Sequence, residues 1–283
     1  MPHHVAVVGH PVAHSKSPAL HGAAYNALDL RWDYNAIDVQ PGGLAAFVQS
    51  LDESWVGLSV TMPHKTQALE LSHSVDVIAR VAGVVNTLVF SLDASGHRVI
   101  FGYNTDVAGI VSALADSDIK STRETAIIGG GATAASAIVA AAELGSEQIV
   151  VLVRNVEHAE SLLAVGNDAG VAVRIHDLAT VQSIPPVDLV ISTIPGSAEL
   201  SLSELARTPS ATLLDVAYSP WPSVRAEEWM RQTPGEPIIV SGLRMLAHQA
   251  LVQVRLFHSG DASRPLADEA RVRNAMFAAV DLT

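Results

Sequence analysis

Short apolar runs alternate along the chain with stretches whose apolar positions recur every three or four residues. "HVAVVG" reads as a strand and "SPALHGAAYNALDL" as a helix, with Ser17 at its N-cap and Pro18 at its first helical position. "RWDYNAIDV" is a second strand candidate with the helix "GGLAAFVQSL" behind it. "VGLSVTM" is a third, followed after Pro63 by the helical "HKTQALELS". This alternation predicts a parallel-type α/β sheet.

A second series begins near residue 124, where "TAIIGGGATAASAIVAAAELG" reads as strand, glycine turn and alanine-rich helix. "EQIVVLVRN", "VAVRIHDL", "VDLVISTIPG" and "ATLLDVAYSP" are further strands, and "VEHAESLLAVG" is a helix between the first two. The C-terminal stretch differs: "GLRMLAHQALVQVRLFHSG" and "LADEARVRNAMFAAVDL" predict two helices with no strand between them. The expected fold is therefore α/β in two lobes, the second inserted before a helical tail that packs back on the first.

Composition narrows the partners. Seventeen basic against 29 acidic residues give a formal charge of −12, which repels phosphate backbones and argues against nucleic acid. The absence of cysteine excludes disulfides and thiolate metal sites and fits a reducing compartment. The first residues lack a signal peptide's pattern, and the greasy stretch "ASAIVAAAELG" is too short to span a bilayer. A cytoplasmic globular protein without membrane or nucleic-acid partners is expected.

Gly129, Gly130, Gly131, Ala132, Thr133 and Ala134 fit G-x-G-x-x-G/A between a strand and a helix. The first glycine allows the tight turn and the second lets backbone approach a pyrophosphate. The small last residue lets helix pack on strand. The helix N-terminus adds free N–H groups and a positive dipole end. A glycine-rich turn without a ligand is the plainer alternative. The next strand ends at Arg154 and Asn155 with no carboxylate before Glu157, which favours NADP over NAD; a solvated strand-end charge explains Arg154 alone equally well.

Polar residues cluster where strands of the first lobe should end. Thr61 and Lys65 flank Pro63, and a lysine at a helix start opposes the dipole, so it invites a functional reason. Asn104, Thr105 and Asp106 precede a helix, where Asp106 alone would pass for an N-cap. Asn86 interrupts an apolar strand and needs hydrogen-bond partners. Gln249 lies on the stripe Met245, Gln249, Val252, Leu256, as either a satisfied core amide or a reach into a cleft. His10, His14, His21 and His64 lack ligand spacing, so no metal site is expected.

Together these stretches resemble the shikimate dehydrogenase family over nearly the whole chain. "GHPVAHSKSPALH", "VTMPHK", "AGVVNT", "GYNTDVAG", the glycine turn and "GLRMLAHQA" match its motifs in order. The resemblance implies residues 1–105 plus 244–283 as a substrate-binding domain and 106–243 as an NADP-binding Rossmann domain. It implies an NADP-dependent enzyme interconverting 3-dehydroshikimate and shikimate, acting alone or as a homodimer. Ser15 and Ser17 would hold the substrate carboxylate, and Thr61, Asn86, Asp106 and Gln249 the ring hydroxyls. Lys65 would be catalytic, paired with Asp106, while Tyr218, Gly242 and Met245 would line the nicotinamide and substrate junction. Three positions depart from the family pattern: Ser59 replaces the usual asparagine, Val153 begins the arginine motif, and His158 replaces its second arginine. They leave quinate or a related substrate, and NAD, as alternatives; a dinucleotide-binding sensor is the alternative outside enzymes, disfavoured by the retained Lys65 and Asp106.

Overall fold

Val5, Ala6, Val7 and Val8 are all buried, as a strand covered on both faces requires. They belong to β1 (His3–Gly9), near the middle of the first of two sheets in a computed structural model that describes residues 3–198, 200–205, 207–233 and 236–282. The chain splits into two compact units, Met1–Thr105 with Leu246–Thr283 and Asp106–Met245.

In the first unit β1 is followed by α1 (Ser17–Ala27), β2 (Trp32–Asp38), α2 (Leu44–Ser50), β3 (Trp55–Val60), α3 (Lys65–Leu71), β4 (Ser74–Val75), α4 (Val77–Ala82), β5 (Thr87–Leu92) and β6 (Arg98–Tyr103). Among the described residues these strands form one six-stranded sheet, ordered β2-β1-β3-β5-β6-β4. Leu44, Leu58, Val60 and Leu88 are at the heart of its core.

The expectation of a parallel sheet needs correction in this unit. β1 pairs in parallel with β2 and β3, but β5 runs antiparallel to both β3 and β6. The Asp93 carboxylate accepts from the Ser95 and His97 N–H groups and folds a tight turn between β5 and β6, too short for a crossover. Ser17 is also not an N-cap. Lys16 already has helical backbone angles, so Ser17 falls inside the helix, and the Ser15 hydroxyl accepts from the Ser17 N–H at 3.2 Å.

The second unit contains α5 (Asp106–Ala115), β7 (Glu124–Ile128), α6 (Ala132–Glu143), β8 (Gln148–Val153), α7 (Ser161–Ala169), β9 (Ala172–Asp177), β10 (Val187–Ser192), β11 (Arg207–Asp215), α8 (Val224–Gln232) and β12 (Ile239–Ser241). Asp106 is the first residue of its helix rather than a cap before it. The predicted helix after β8 divides into a 3-10 turn, Glu157–Ala159, and α7. Among the described residues its strands all pair in parallel, in the order β12-β11-β10-β7-β8-β9. This is the doubly wound arrangement, whose order reverses between β7 and β10 and opens a crevice at the strands' carboxyl ends.

Helix α9 (Gly242–Ser259) begins in the second unit and continues into the first, where α10 (Glu269–Ala278) packs against α1. Among the described residues, no helix is long and apolar enough to cross a membrane.

Candidate active site

The strand directions of the first unit gather its polar residues at one sheet edge. β1 and β3 end there, leading to Ser15 and Ser17 and to Thr61 and Lys65. β5 starts there just after Asn86, and β6 ends there just before Asn104 and Thr105. Asn86 thus precedes its strand rather than interrupting it. Hydrogen bonds lock these segments together: the Thr61 N–H donates to the Val8 carbonyl, Val60 to Asn86, and Val85 to Lys65. Lys65 opens α3 with a side chain 9% exposed. Asp106 follows Thr105 directly and is buried.

The Asn86 side chain is the hub. Its Oδ1 accepts from the Thr105 N–H at 2.8 Å and the Thr87 hydroxyl at 2.9 Å, and its Nδ2 donates to Thr105 Oγ1 at 2.9 Å. Gln249 Oε1 accepts from Asn86 Nδ2 at 3.3 Å and Thr105 Oγ1 at 3.1 Å, while its Nε2 donates to the Leu246 carbonyl at 2.9 Å. Gln249 is thereby a satisfied amide that still sits among the polar residues of this edge.

Beneath the hub lies a second layer of polar side chains. Gln253 Nε2 donates to the Asn86 carbonyl and to Thr87 Oγ1. A carbonyl only accepts, so the Gln253 amide must point its nitrogen there and its Oε1 the other way. That oxygen accepts from Ser59 Oγ at 2.8 Å and meets His21 Nε2 at 3.2 Å. His21 therefore carries its proton on Nε2, and Nδ1 accepts from the Tyr25 hydroxyl at 3.3 Å. Burial pushes the imidazole down to about 3, against the opposing hydrogen bond to Gln253, so it is neutral at ordinary pH. Tyr34 stacks on the ring at 4.0 Å and donates to Ser59 Oγ at 2.7 Å. Burial raises the Tyr34 phenol, while the Ser59 and Ser17 hydroxyls within its reach oppose the rise.

In the second unit the glycine turn follows β7 at the point where the strand order reverses. Gly129 has a φ of +111°, and a Cβ there would lie 2.5 Å from Thr193 Oγ1, so glycine is required. A Cβ on Gly131 would meet nothing within 4 Å, and no side chain caps the helix N-terminus that follows. Ala132 and Thr133 open this helix, and Ala134 is fully buried against the sheet. Open space before uncapped N–H groups fits a dinucleotide's pyrophosphate. A cavity of about 570 Å³ adjoins this turn and is lined by Gly130, Arg154, Asn155, His158 and Ala159 among others.

Tyr218 follows β11, half-buried, and Met245 is buried in the first turns of α9. Gly242 starts α9 so close to the chain after β11 that a Cβ would fall 1.9 Å from the Val216 carbonyl oxygen. Sequence reasoning overlooked Arg225, whose guanidinium is wholly buried on α8. It pairs with Asp215 at 3.2 Å and donates to the Ala198 and Pro195 carbonyls. It also overlooked Tyr34 and Gln253, although Gln253 lies one helical turn beyond Gln249. Of the candidate metal-binding histidines, His10 pairs with Asp38 at 2.8 Å on the surface, His14 is exposed and His21 is buried.

A model of the shikimate dehydrogenase substrate binding domain matches residues 7–88. The chain is 30% identical over 281 residues to the shikimate dehydrogenase (NADP(+)) of Methanothermobacter thermautotrophicus, covering 96% of each. The shikimate dehydrogenase of Mycobacterium tuberculosis has a similar structure, with a TM-score of 0.81 and 34% identity over 98% of this chain and 100% of that one. The shikimate 5-dehydrogenase of Thermus thermophilus, solved in complex with NADP(H) and shikimate, gives a TM-score of 0.78 and 27% identity over 98% and 99%.

Proposed function

The chain belongs to the shikimate dehydrogenase family, and from that premise we propose which of its residues carry the NADP-dependent interconversion of shikimate and 3-dehydroshikimate. Oxidising the secondary alcohol removes a hydride from carbon and a proton from oxygen. NADP, when bound, accepts the hydride, so the protein has to move the proton. Lys65 takes that proton from the ring hydroxyl in one direction and returns it in the other. Asp106, one peptide bond beyond Thr105, shares this proton chemistry.

Thr61, Asn86 and Gln249 bind ring hydroxyls, and Ser15 and Ser17 the carboxylate. Because Ser15 Oγ already accepts from the Ser17 N–H, its own proton remains to be donated to an anion. In the second unit Gly129, Gly130, Gly131, Ala132 and Thr133 receive the pyrophosphate, Arg154 and Asn155 the 2′-phosphate. Tyr218, Gly242 and Met245 border the nicotinamide.

The observation that carries this reading is the meeting of Lys65, Asn86, Thr105 and Gln249 at one sheet edge, all of them buried. Buried polar side chains gathered at the ends of strands, where α/β sheets bind their ligands, speak for a ligand rich in oxygen. Initial rates with shikimate and quinate, each against NADP and NAD, test it. Turnover best with shikimate and NADP is expected. Equal or better rates with NAD would give cofactor choice to Val153 and His158, and silence in all four combinations would refute the reading.

A further inference from the structure

Two backbone groups fix the direction of the hydrogen bonds between Gln253 and Asn86. The Asn86 carbonyl can only accept, so Gln253 turns its Nε2 toward it at 3.3 Å and sends its other amide proton to Thr87 Oγ1 at 2.9 Å. The Thr105 N–H can only donate, so Asn86 turns its Oδ1 toward it at 2.8 Å. Between the two amides stands the Thr87 hydroxyl. It accepts from Gln253, and its own proton therefore goes on to Asn86 Oδ1 at 2.9 Å.

Behind Gln253 the chain of donors continues in the same sense. His21 Nε2–H and the Ser59 hydroxyl donate to Gln253 Oε1 at 3.2 and 2.8 Å, and the Tyr25 hydroxyl donates to His21 Nδ1 at 3.3 Å. Both protons and both lone pairs of the Gln253 amide are thus engaged. Tyr25, His21, Ser59, Thr87 and Gln253 are all buried, where water does not replace a lost bond. Backbone satisfaction does not account for this amide, because the Asn86 carbonyl already accepts from the Val60 N–H at 2.7 Å. What Gln253 adds is the direction of the Thr87 proton.

We propose that Gln253 is a positioning residue for substrate binding: through the Thr87 hydroxyl it holds the Asn86 amide in the orientation that meets a ring hydroxyl. The inference rests on the reading of Asn86 as a hydroxyl-binding residue. Without the donor from Gln253, the Thr87 proton is free to turn away, and Asn86 Oδ1 loses one of the donors that set its orientation. An amide that exchanges Oδ1 for Nδ2 offers a ring hydroxyl an acceptor in place of a donor, or the reverse.

Initial-rate kinetics of the full chain, with shikimate and NADP varied in turn, test the assignment. Gln253→Met keeps the length of the side chain and removes its polar atoms. It should raise the KM for shikimate about tenfold, the scale of one hydrogen bond, with kcat and the KM for NADP little changed. Thr87→Val breaks the chain one link further on with almost no change of shape and should give the same rise. Thr87→Ser keeps the hydroxyl and should keep the wild-type KM; if Gln253→Met does not fold, this threonine pair decides. Asn86→Ala should also raise the KM for shikimate, and adding Gln253→Met to it should raise it no further, because the glutamine acts only through Asn86. A shikimate KM that stays at its wild-type value in Gln253→Met or Thr87→Val, that rises together with the KM for NADP, or that rises again in the double variant overturns this proposal alone. An unchanged KM for shikimate in Asn86→Ala overturns the reading of the site with it.

Discussion

Ser59 gives its one hydroxyl proton to Gln253 Oε1, 2.8 Å away, while accepting from the Tyr34 phenol at 2.7 Å. The serine standing where the family has asparagine is therefore tied into the buried layer beneath the hub, and its proton is already directed inward. Replacing it with alanine leaves the phenol without its acceptor and takes one of two donors from the amide oxygen. Ser59→Ala should cost about 1–3 kcal/mol, read from urea unfolding, and should lower kcat with shikimate far less than loss of Lys65 does. A large fall in kcat at unchanged stability would mean that the hydroxyl serves the substrate instead.

His21 makes stability depend on pH. Its imidazole is held neutral in the folded chain down to about pH 3, whereas the unfolded chain takes up a proton near 6.5. Its contribution is thus present above pH 6.5 and lost as pH falls from there toward 3. This one group should make the protein about 2 kcal/mol less stable at pH 5 than at pH 8. In His21→Gln the slope of unfolding free energy between pH 5 and 6.5 should flatten. A slope equal to that of wild type would show that other groups set it.

The parallel order of the second sheet was legible where β7 and β8 are each followed by a helix, α6 and α7, because only a crossover can then return the chain; β10 and β11 follow one another with no α-helix between them among the described residues. β12 escaped because Ile239–Ser241 is too short a run to register. The hairpin of β5 and β6 escaped for another reason. Alternation along a strand is the same in either direction, and the direction is decided by the Asp93 turn, which looks like any polar loop. In the site, Asn86 announced itself as an amide in apolar surroundings. Tyr34, His21 and Gln253 come from β2, α1 and α9, and each passes for an ordinary member of its own element. Only the fold reveals that they share hydrogen bonds.

Lys65 and Asp106 are expected to carry the proton transfer. Loss of a well-placed acid or base costs about 10²–10⁴ in rate, so Lys65→Ala and Asp106→Asn should each reduce kcat within that range. Shikimate should still bind to the Lys65 variant through Ser15, Ser17 and the Asn86 hub, measurable by calorimetry. Unchanged turnover in Lys65→Ala would remove the lysine from the mechanism.

Arg225 joins the stability of the second unit to the shape of the cavity beside the glycine turn. Its buried guanidinium pairs with Asp215, and it donates to the Ala198 carbonyl at 2.9 Å and the Pro195 carbonyl at 3.0 Å. Pro195 and Ala198 both line the cavity, so one side chain fixes the loop after β10 to the end of β11. Arg225→Met keeps much of the volume but strands the Asp215 carboxylate in the interior, which should cost about 3–5 kcal/mol. Because the freed loop borders the cavity, the KM for NADP should rise more than the KM for shikimate. Arg225→Lys restores the charge, but a single ammonium cannot reproduce the guanidinium's planar spread of donors, so it should fall between methionine and arginine in both stability and NADP affinity. Equal increases in both KM values would mean that the substitution loosens the whole protein rather than this loop.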